Sequence, residues 1–292
     1  MYSVSAHTVQ INGWISLAKG NEGFSHSLSD RKYACDLIEH EFEIGDDDVH
    51  PDIILSSELD NYSIIAECKS ERLDSDQLRR YKRFEKNPEK LLDRTNLDAL
   101  LDSSKFGLEV CYSSLSDLST RELLTETDTP FVQFSHSSTS GVLIENSLPF
   151  QFSELASRFP INMDPDEALP TEYYPFDVDQ PEDREQFVAT IIQALLRTAL
   201  MENTTKTKQI VKEAHPHWDH IGSEKQSRFV DETKKVIEIL ERSELQEYIE
   251  NVADSADKWK ISPKTAQAIQ KRMNGTDFVQ KIAEQADFDD FG

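Results

Sequence analysis

The chain is short of cysteine: Cys35, Cys68 and Cys111 are its three, at wide and uneven spacing. An odd, scattered set excludes a disulfide framework and a CxxC metal knuckle, and suits a reducing cytoplasm. No run of about 18 apolar residues occurs, so no membrane-spanning helix is expected. The N-terminal residues show no basic stretch leading into an apolar one, so no secretory leader is expected. Repeats and low-complexity tracts are also missing. Positive charge is scarce, with 31 Lys and Arg against 55 Asp and Glu and a net charge of −24. Such a surface repels phosphate and normally argues against nucleic acid. It fits basic partners, an ordinary acidic soluble protein, or a halophile's high-salt cytoplasm, where charges are screened within about 3 Å at 1 M salt. The acids run along the whole chain, which favours the last. A DNA-binding protein of this composition must cluster its few bases where the backbone docks.

What is present is enough for a folded core: 37% hydrophobic residues, with 15 Phe, 8 Tyr and 3 Trp among 292. Ile11 to Ala18 reads as a short strand or a helix turn. The spacing of Tyr33, Ala34, Leu37 and Ile38 predicts a helix over 29–40, capped by Ser29 or Asp30. Two strands follow, Asp52–Ser57 and Tyr62–Lys69, around the polar turn Glu58-Leu59-Asp60-Asn61. Their unbroken apolar runs suit strands buried on both faces. A basic helix is expected over 75–89, then strands at 107–113, 130–135 and 141–145. Residues 160–184 hold five of the eleven prolines and many acids, and read as a linker or irregular crossover. Beyond it the periodicity predicts helices near 182–202, 205–214, 223–242, 263–273 and 276–286. The expected domains are 1–159, a linker over 160–181, and 182–292.

The chemistry concentrates around Pro51-Asp52 and Glu67-Cys68-Lys69. A strand alternates faces, so Glu67 and Lys69 point the same way. The short turn brings Asp52 beside them. Two carboxylates and one ammonium then share a pocket. Hard oxygens from Asp52 and Glu67, with the Cys68 carbonyl, suit Mg²⁺ or Mn²⁺. Lys69 can orient or deprotonate a water and stabilise charge at phosphorus.

These residues resemble the PD-(D/E)xK, or restriction-endonuclease-like, nuclease superfamily. The resemblance covers roughly residues 25–150. It implies an α/β fold with a mixed-sheet α-β-β-β-α-β core, metal-dependent DNA hydrolysis, and an extra acid on the first helix. Glu39 is the candidate for that acid, with Glu41 behind it. Gln77-Leu-Arg-Arg-Tyr81 is similar to the QxxxY motif of RecB-like members, where Gln and Tyr line the site and contact phosphate. Arg79, Arg80, Lys82, Arg83 and Lys86 make 77–86 the most basic segment of the chain, which agrees. The bland reading is that PD and ExK are short strings, Glu67 and Lys69 a surface ion pair, and the basic helix a solvated face. A degenerate member would bind DNA without cutting it.

A second motif, His215-Pro-His217-Trp-Asp219-His220, is similar to the HxHxDH zinc signature of metallo-β-lactamase-fold hydrolases. That fold needs further ligands downstream, and His220 is the last histidine. A helix end accounts for the segment instead: Pro216 breaks one helix, Trp218 and Ile221 pack, and Ser223 caps the next with Gln226 at the box position. Three helices followed by strand-like alternations at 245–252 and 258–262 have the order of a winged helix, with Lys206, Lys208, Lys212, Lys225, Arg228, Lys234 and Lys235 available to phosphate. A helical packing or dimerisation bundle is the alternative. Expected partners are DNA and, for two-strand cutting, a second copy or a partner protein. The expected location is cytoplasmic, with no membrane.

Overall fold

Two runs of β-branched and aliphatic residues, Ile53–Ser57 (β4) and Tyr62–Cys68 (β5), form the second and third strands of a seven-stranded mixed sheet. The computed structural model describes residues 4–20, 27–44, 47–70, 72–94, 105–116, 118–119, 121–137, 141–162, 172–201, 204–243, 249–252, 257–261 and 277–286. The chain separates into two compact units, Val9–Tyr173 with His220–Gly222, and Met1–Thr8 with Tyr174–Asp219 and Ser223–Gly292.

The sheet belongs to the first unit. Its other strands are Tyr33–Ile38 (β1), Gly107–Ser114 (β6), Phe131–Ser137 (β7), Gly141–Leu148 (β8) and Ile161–Asn162 (β9), in the order β1-β4-β5-β6-β7-β8-β9. Its first three strands are antiparallel, β5-β6 and β6-β7 are parallel, and the last three are antiparallel again. Parallel neighbours need crossovers. These are supplied by Ser75–Glu85 (α2) and Glu89–Arg94 (α3), then by Arg121–Glu126 (α4). A two-stranded hairpin, Phe42–Ile44 (β2) with Asp47–Val49 (β3), lies between β1 and β4 in the chain.

Every residue of β4 is buried, as a sheet covered on both faces requires. On one face Ile54, Ile65, Val110 and Tyr112 pack with Leu78, Tyr81 and Phe84 of α2. The other face meets the helix Ala6–Lys19 (α1), where Trp14 Nε1 donates to Ser113 Oγ at 3.1 Å and the Trp14 and Phe134 rings meet edge-on. Residues all around α1 are buried, including Ile11, Trp14, Ile15 and Leu17 and the polar Gln10, Asn12 and Ser16. A helix buried all round has no single apolar stripe, which is why Ile11–Ala18 left strand and helix open.

The expected helix over 29–40 is not there. Leu28–Arg31 makes one 3-10 turn, Lys32 takes a left-handed φ of 57°, and the chain then runs extended as β1. Pairing with Ile53 and Leu55 of β4 outweighed the helical spacing of 33, 34, 37 and 38. A register shift between Cys35 and Leu37 leaves Asp36 as a bulge, which breaks the two-residue alternation a sequence reader looks for.

The second unit contains Arg184–Met201 (α6), Thr204–Lys206 (β10), Thr207–Ala214 (α7), Ser223–Arg242 (α8), Ile249–Asn251 (β11), Lys258–Ile261 (β12) and Asp277–Gln285 (α9). Strand β12 lies between β10 and β11, antiparallel to both. The helix expected at 263–273 lies outside the described residues. The expected linker over 160–181 is only partly described. Within it Tyr174 and Phe176 are fully buried and belong to the second unit. The units part at Tyr173/Tyr174. No helix among the described residues is long and apolar enough to cross a membrane.

Candidate active site

The register of β4 and β5 pairs Ile53 with Ala66, which sets Asp52 beside Glu67 at the strand ends. Asp52 Oδ2 accepts from the Cys68 amide at 2.6 Å. Lys69, two residues beyond Glu67, places Nζ 3.0 Å from Glu67 Oε2. The structure thus brings Asp52, Glu67 and Lys69 together at the neighbouring ends of β4 and β5.

Helix α2 starts where Asp74 accepts from the Asp76 amide at 2.9 Å. Gln77 and Tyr81, one turn apart, reach the same carboxylate. Gln77 Nε2 donates to Glu67 Oε2 at 3.0 Å, and the Tyr81 hydroxyl donates to Oε1. Glu67 is 1% exposed. Burial, and then the Asp52 charge, push its pKa up to about 7, against the pull of Lys69 and Tyr81. Burial also works against charge on Lys69, but Glu67 and Asp52 outweigh it and hold the ammonium above the ordinary lysine range. Without a bound ion this favours the ammonium form of Lys69, the form that orients a water. The Cys68 thiol is pushed well up by burial.

Several expected contacts change role. Tyr81 is buried and its hydroxyl is committed to Glu67, which it positions. Glu39 is not on a helix: it takes a left-handed φ of 50° after β1, and its amide donates to the Asp52 carbonyl at 3.0 Å. Arg79 and Arg83 are exposed on α2, and Arg79 pairs with Asp76 at 3.0 Å; Arg80 lies half-buried on the inner flank.

Sequence reasoning missed the support beneath the strand ends. Gln10 Nε2 donates to the Lys69 carbonyl at 3.1 Å, and Ser113 Oγ donates to Gln10 Oε1 at 2.9 Å. The Lys69 amide donates to the Ser113 carbonyl at 2.8 Å. The signal was Gln10 among the polar residues interspersed with the apolar ones of α1; buried polar groups are usually committed to partners.

The histidine motif does not assemble. His215 is fully buried, with its ring 4.8 Å from Tyr174, 5.3 Å from Phe229 and 5.5 Å from Phe176. Asp219 takes Lys212 at 2.8 Å, and His220 Nδ1 lies 3.0 Å from the Asp36 carbonyl. Among the described residues, His215, His217 and Asp219 form no ligand set. Helix α8 begins at Ser223, with Gly222 before it, and Gln226 Nε2 donates to the Trp218 carbonyl at 2.8 Å. Of the bases assigned to phosphate in this unit, Lys225 is buried between Asp177 and Asp179, and Arg228 also pairs with Asp179.

The chain belongs to the MJECL32 domain family, whose pattern matches residues 6–174. Residues 180–291 match a second family, described as a domain of unknown function (DUF8601). The uncharacterized protein MJECL32 of Methanocaldococcus jannaschii is 24% identical over 208 residues, 67% of this chain and 47% of that protein. The chain thus spans about half the length of that relative. No solved structure matches the chain.

Proposed function

We propose that this protein is a divalent-metal-dependent deoxyribonuclease of the PD-(D/E)xK, restriction-endonuclease-like class. The carrying observation is one pocket holding Asp52, Glu67 and Lys69, with Glu67 buried and held at both oxygens. The succession α1-β1-β4-β5-α2-β6 supports it, since it runs α-β-β-β-α-β with the acids at the ends of neighbouring strands.

The donor set fits Mg²⁺ or Mn²⁺. Two carboxylates face one ammonium, and burial first, then the Asp52 charge, raise the Glu67 pKa in spite of Lys69. Asp52, Glu67 and the Cys68 carbonyl would hold the ion, with Glu39 the remaining candidate. When bound, such an ion supplies a Lewis acid and a water of lowered pKa. The protein's own groups do the rest. Tyr81 and Gln77 fix the Glu67 carboxylate. Lys69 donates to the attacking water or a phosphoryl oxygen and offsets the charge that builds as the P–O bond breaks. Arg79, Arg80 and Arg83 meet the strand backbone.

In the second unit the order α6-β10-α7-α8-β11-β12, with β10 on β12, supports a winged-helix reading and a DNA-docking role. Lys206 and Lys208 are exposed there. Cutting both strands then requires two sites, hence a homodimer or a partner protein.

One observation favours a second reading, a DNA-binding module without chemistry: both Glu67 oxygens already accept hydrogen bonds. The test is incubation with plasmid, linear duplex and single-stranded DNA, with Mg²⁺ or Mn²⁺, at low and molar salt. Cleavage is expected, with Lys69→Ala reducing it at least about 100-fold while DNA binding persists. Binding of DNA that stays intact in every condition selects the second reading. Absence of both binding and cleavage removes both.

A further inference from the structure

Two buried hydrogen-bond donors flank the pocket, the Tyr112 hydroxyl, which the reading above leaves unused, and Nε of Arg80, which it counts only among the backbone contacts. Tyr112 on β6 is the register partner of Glu67 on β5, so the two side chains leave the same face of the sheet. The Tyr112 ring packs in the core with Tyr81 and Phe84. Its residue exposure is 0%, and its hydroxyl makes no hydrogen bond among the described residues. The neighbouring Tyr81 hydroxyl is committed to Glu67. On α2, Arg80 follows Gln77 by three residues, which sets it on Gln77's flank of the helix. Its Nε is likewise buried with no acceptor.

A buried donor without an acceptor costs about 1–3 kcal/mol. Two of them, one carried by a cation, beside a pocket that gathers Asp52, Glu67 and Lys69, call for an anionic oxygen. Burial first, then the charges of Glu67, Asp52 and Asp74, hold the Tyr112 hydroxyl protonated, and Arg80 pulls the other way. Arg79 and Arg83, exposed on the outer flank of α2, have no such setting.

We propose that Tyr112 and Arg80 form an oxyanion subsite that receives a phosphate oxygen of the bound strand at the pocket. The identity of that phosphate rests on the nuclease reading; the anion subsite itself rests only on the two donors. Tyr112 is then a further substrate-contacting residue, and Arg80 is set apart from the outward arginines as the one that binds within the pocket.

Tyr112→Phe keeps the ring and removes only the hydroxyl. A structural hydroxyl would lower stability and activity together. The proposal expects the opposite pairing: an unchanged or slightly higher Tm without ligand, and a cleavage rate about 10- to 100-fold lower, the usual weight of a hydrogen bond to a charged group. Arg80→Gln is expected to act in the same direction on cleavage. A second arm uses inorganic phosphate as the probe in thermal denaturation of the metal-free protein. Phosphate should raise the Tm of the wild type and raise it markedly less in Tyr112→Phe and Arg80→Gln. Equal phosphate stabilisation in all three, or wild-type cleavage by Tyr112→Phe, overturns the subsite. If the wild type cuts no DNA but phosphate still discriminates the variants, the nuclease reading falls and the subsite stands.

Discussion

At the scale of single residues, the site turns on how Glu67 is kept ionisable inside the protein. Its pKa is raised from the ordinary carboxylate value to about 7, chiefly by burial. A group whose folded pKa lies above its unfolded one contributes stability in full below the unfolded value, near 4.5, and loses it as pH rises through about 7. The metal-free protein should therefore lose stability over that window. A divalent ion needs the carboxylate form, so Mg²⁺ should raise the Tm more at pH 8 than at pH 6, measured against EDTA. An equal shift at both pH values would refute the Asp52–Glu67 ion site. Tyr81→Phe removes a hydrogen bond to a buried carboxylate and should cost about 1.5–3 kcal/mol of stability in urea titrations. The same change should move the acid limb of any cleavage profile upward, because Tyr81 holds the Glu67 pKa down. Asp52, Glu67, Lys69, Gln77 and Tyr81 were legible because strand alternation and helix spacing are local rules. Gln10, Ser113 and Tyr112 were not. Gln10 lies 103 positions from Ser113, and only the folded sheet brings them together.

Among the elements, those with clean patterns were read and those with broken ones were missed. Strands β4 to β8 and helices α2, α6, α7 and α8 carry continuous apolar runs or one apolar stripe. Strand β1 hid behind its bulge, β2 and β3 are too short to alternate, and α1 has no polar side. Helix α1 also sets up a contest between two known effects. Ala exceeds Gly in helix propensity by about 1 kcal/mol. Yet a Cβ on Gly13 would stand 2.5 Å from Phe134 Cε1 and 3.0 Å from Cδ1, and the ring also meets Trp14 edge-on. Overpacking of this kind costs about 1–3 kcal/mol. The clash should win, so Gly13→Ala is expected to lower the midpoint of chemical denaturation in spite of its better propensity. A raised midpoint would mean that β7 yields to α1 more readily than its packing implies.

For the molecule as a whole, the net charge of −24 sets the conditions under which any of this operates. Self-repulsion among so many carboxylates opposes the compact state, and salt screens it. The Tm is expected to climb as KCl rises from about 0.1 to about 2 M. A flat response would remove the high-salt reading and leave an ordinary acidic protein. The family segment at residues 6–174 and the compact unit are also not the same object. Along β1, the Gly222 amide donates to the Ile38 carbonyl at 2.9 Å, and Ile221 bridges Ile38 in parallel. A Cβ at Gly222 would lie 2.2 Å from the Glu39 carbonyl oxygen, so only glycine allows the approach. During translation, then, the sheet's outer margin stays open until some fifty further residues have left the ribosome. A fragment stopped at 174 would keep that margin bare, and open margins recruit other strands. Such a fragment should self-associate on a sizing column, whereas the full-length chain caps itself.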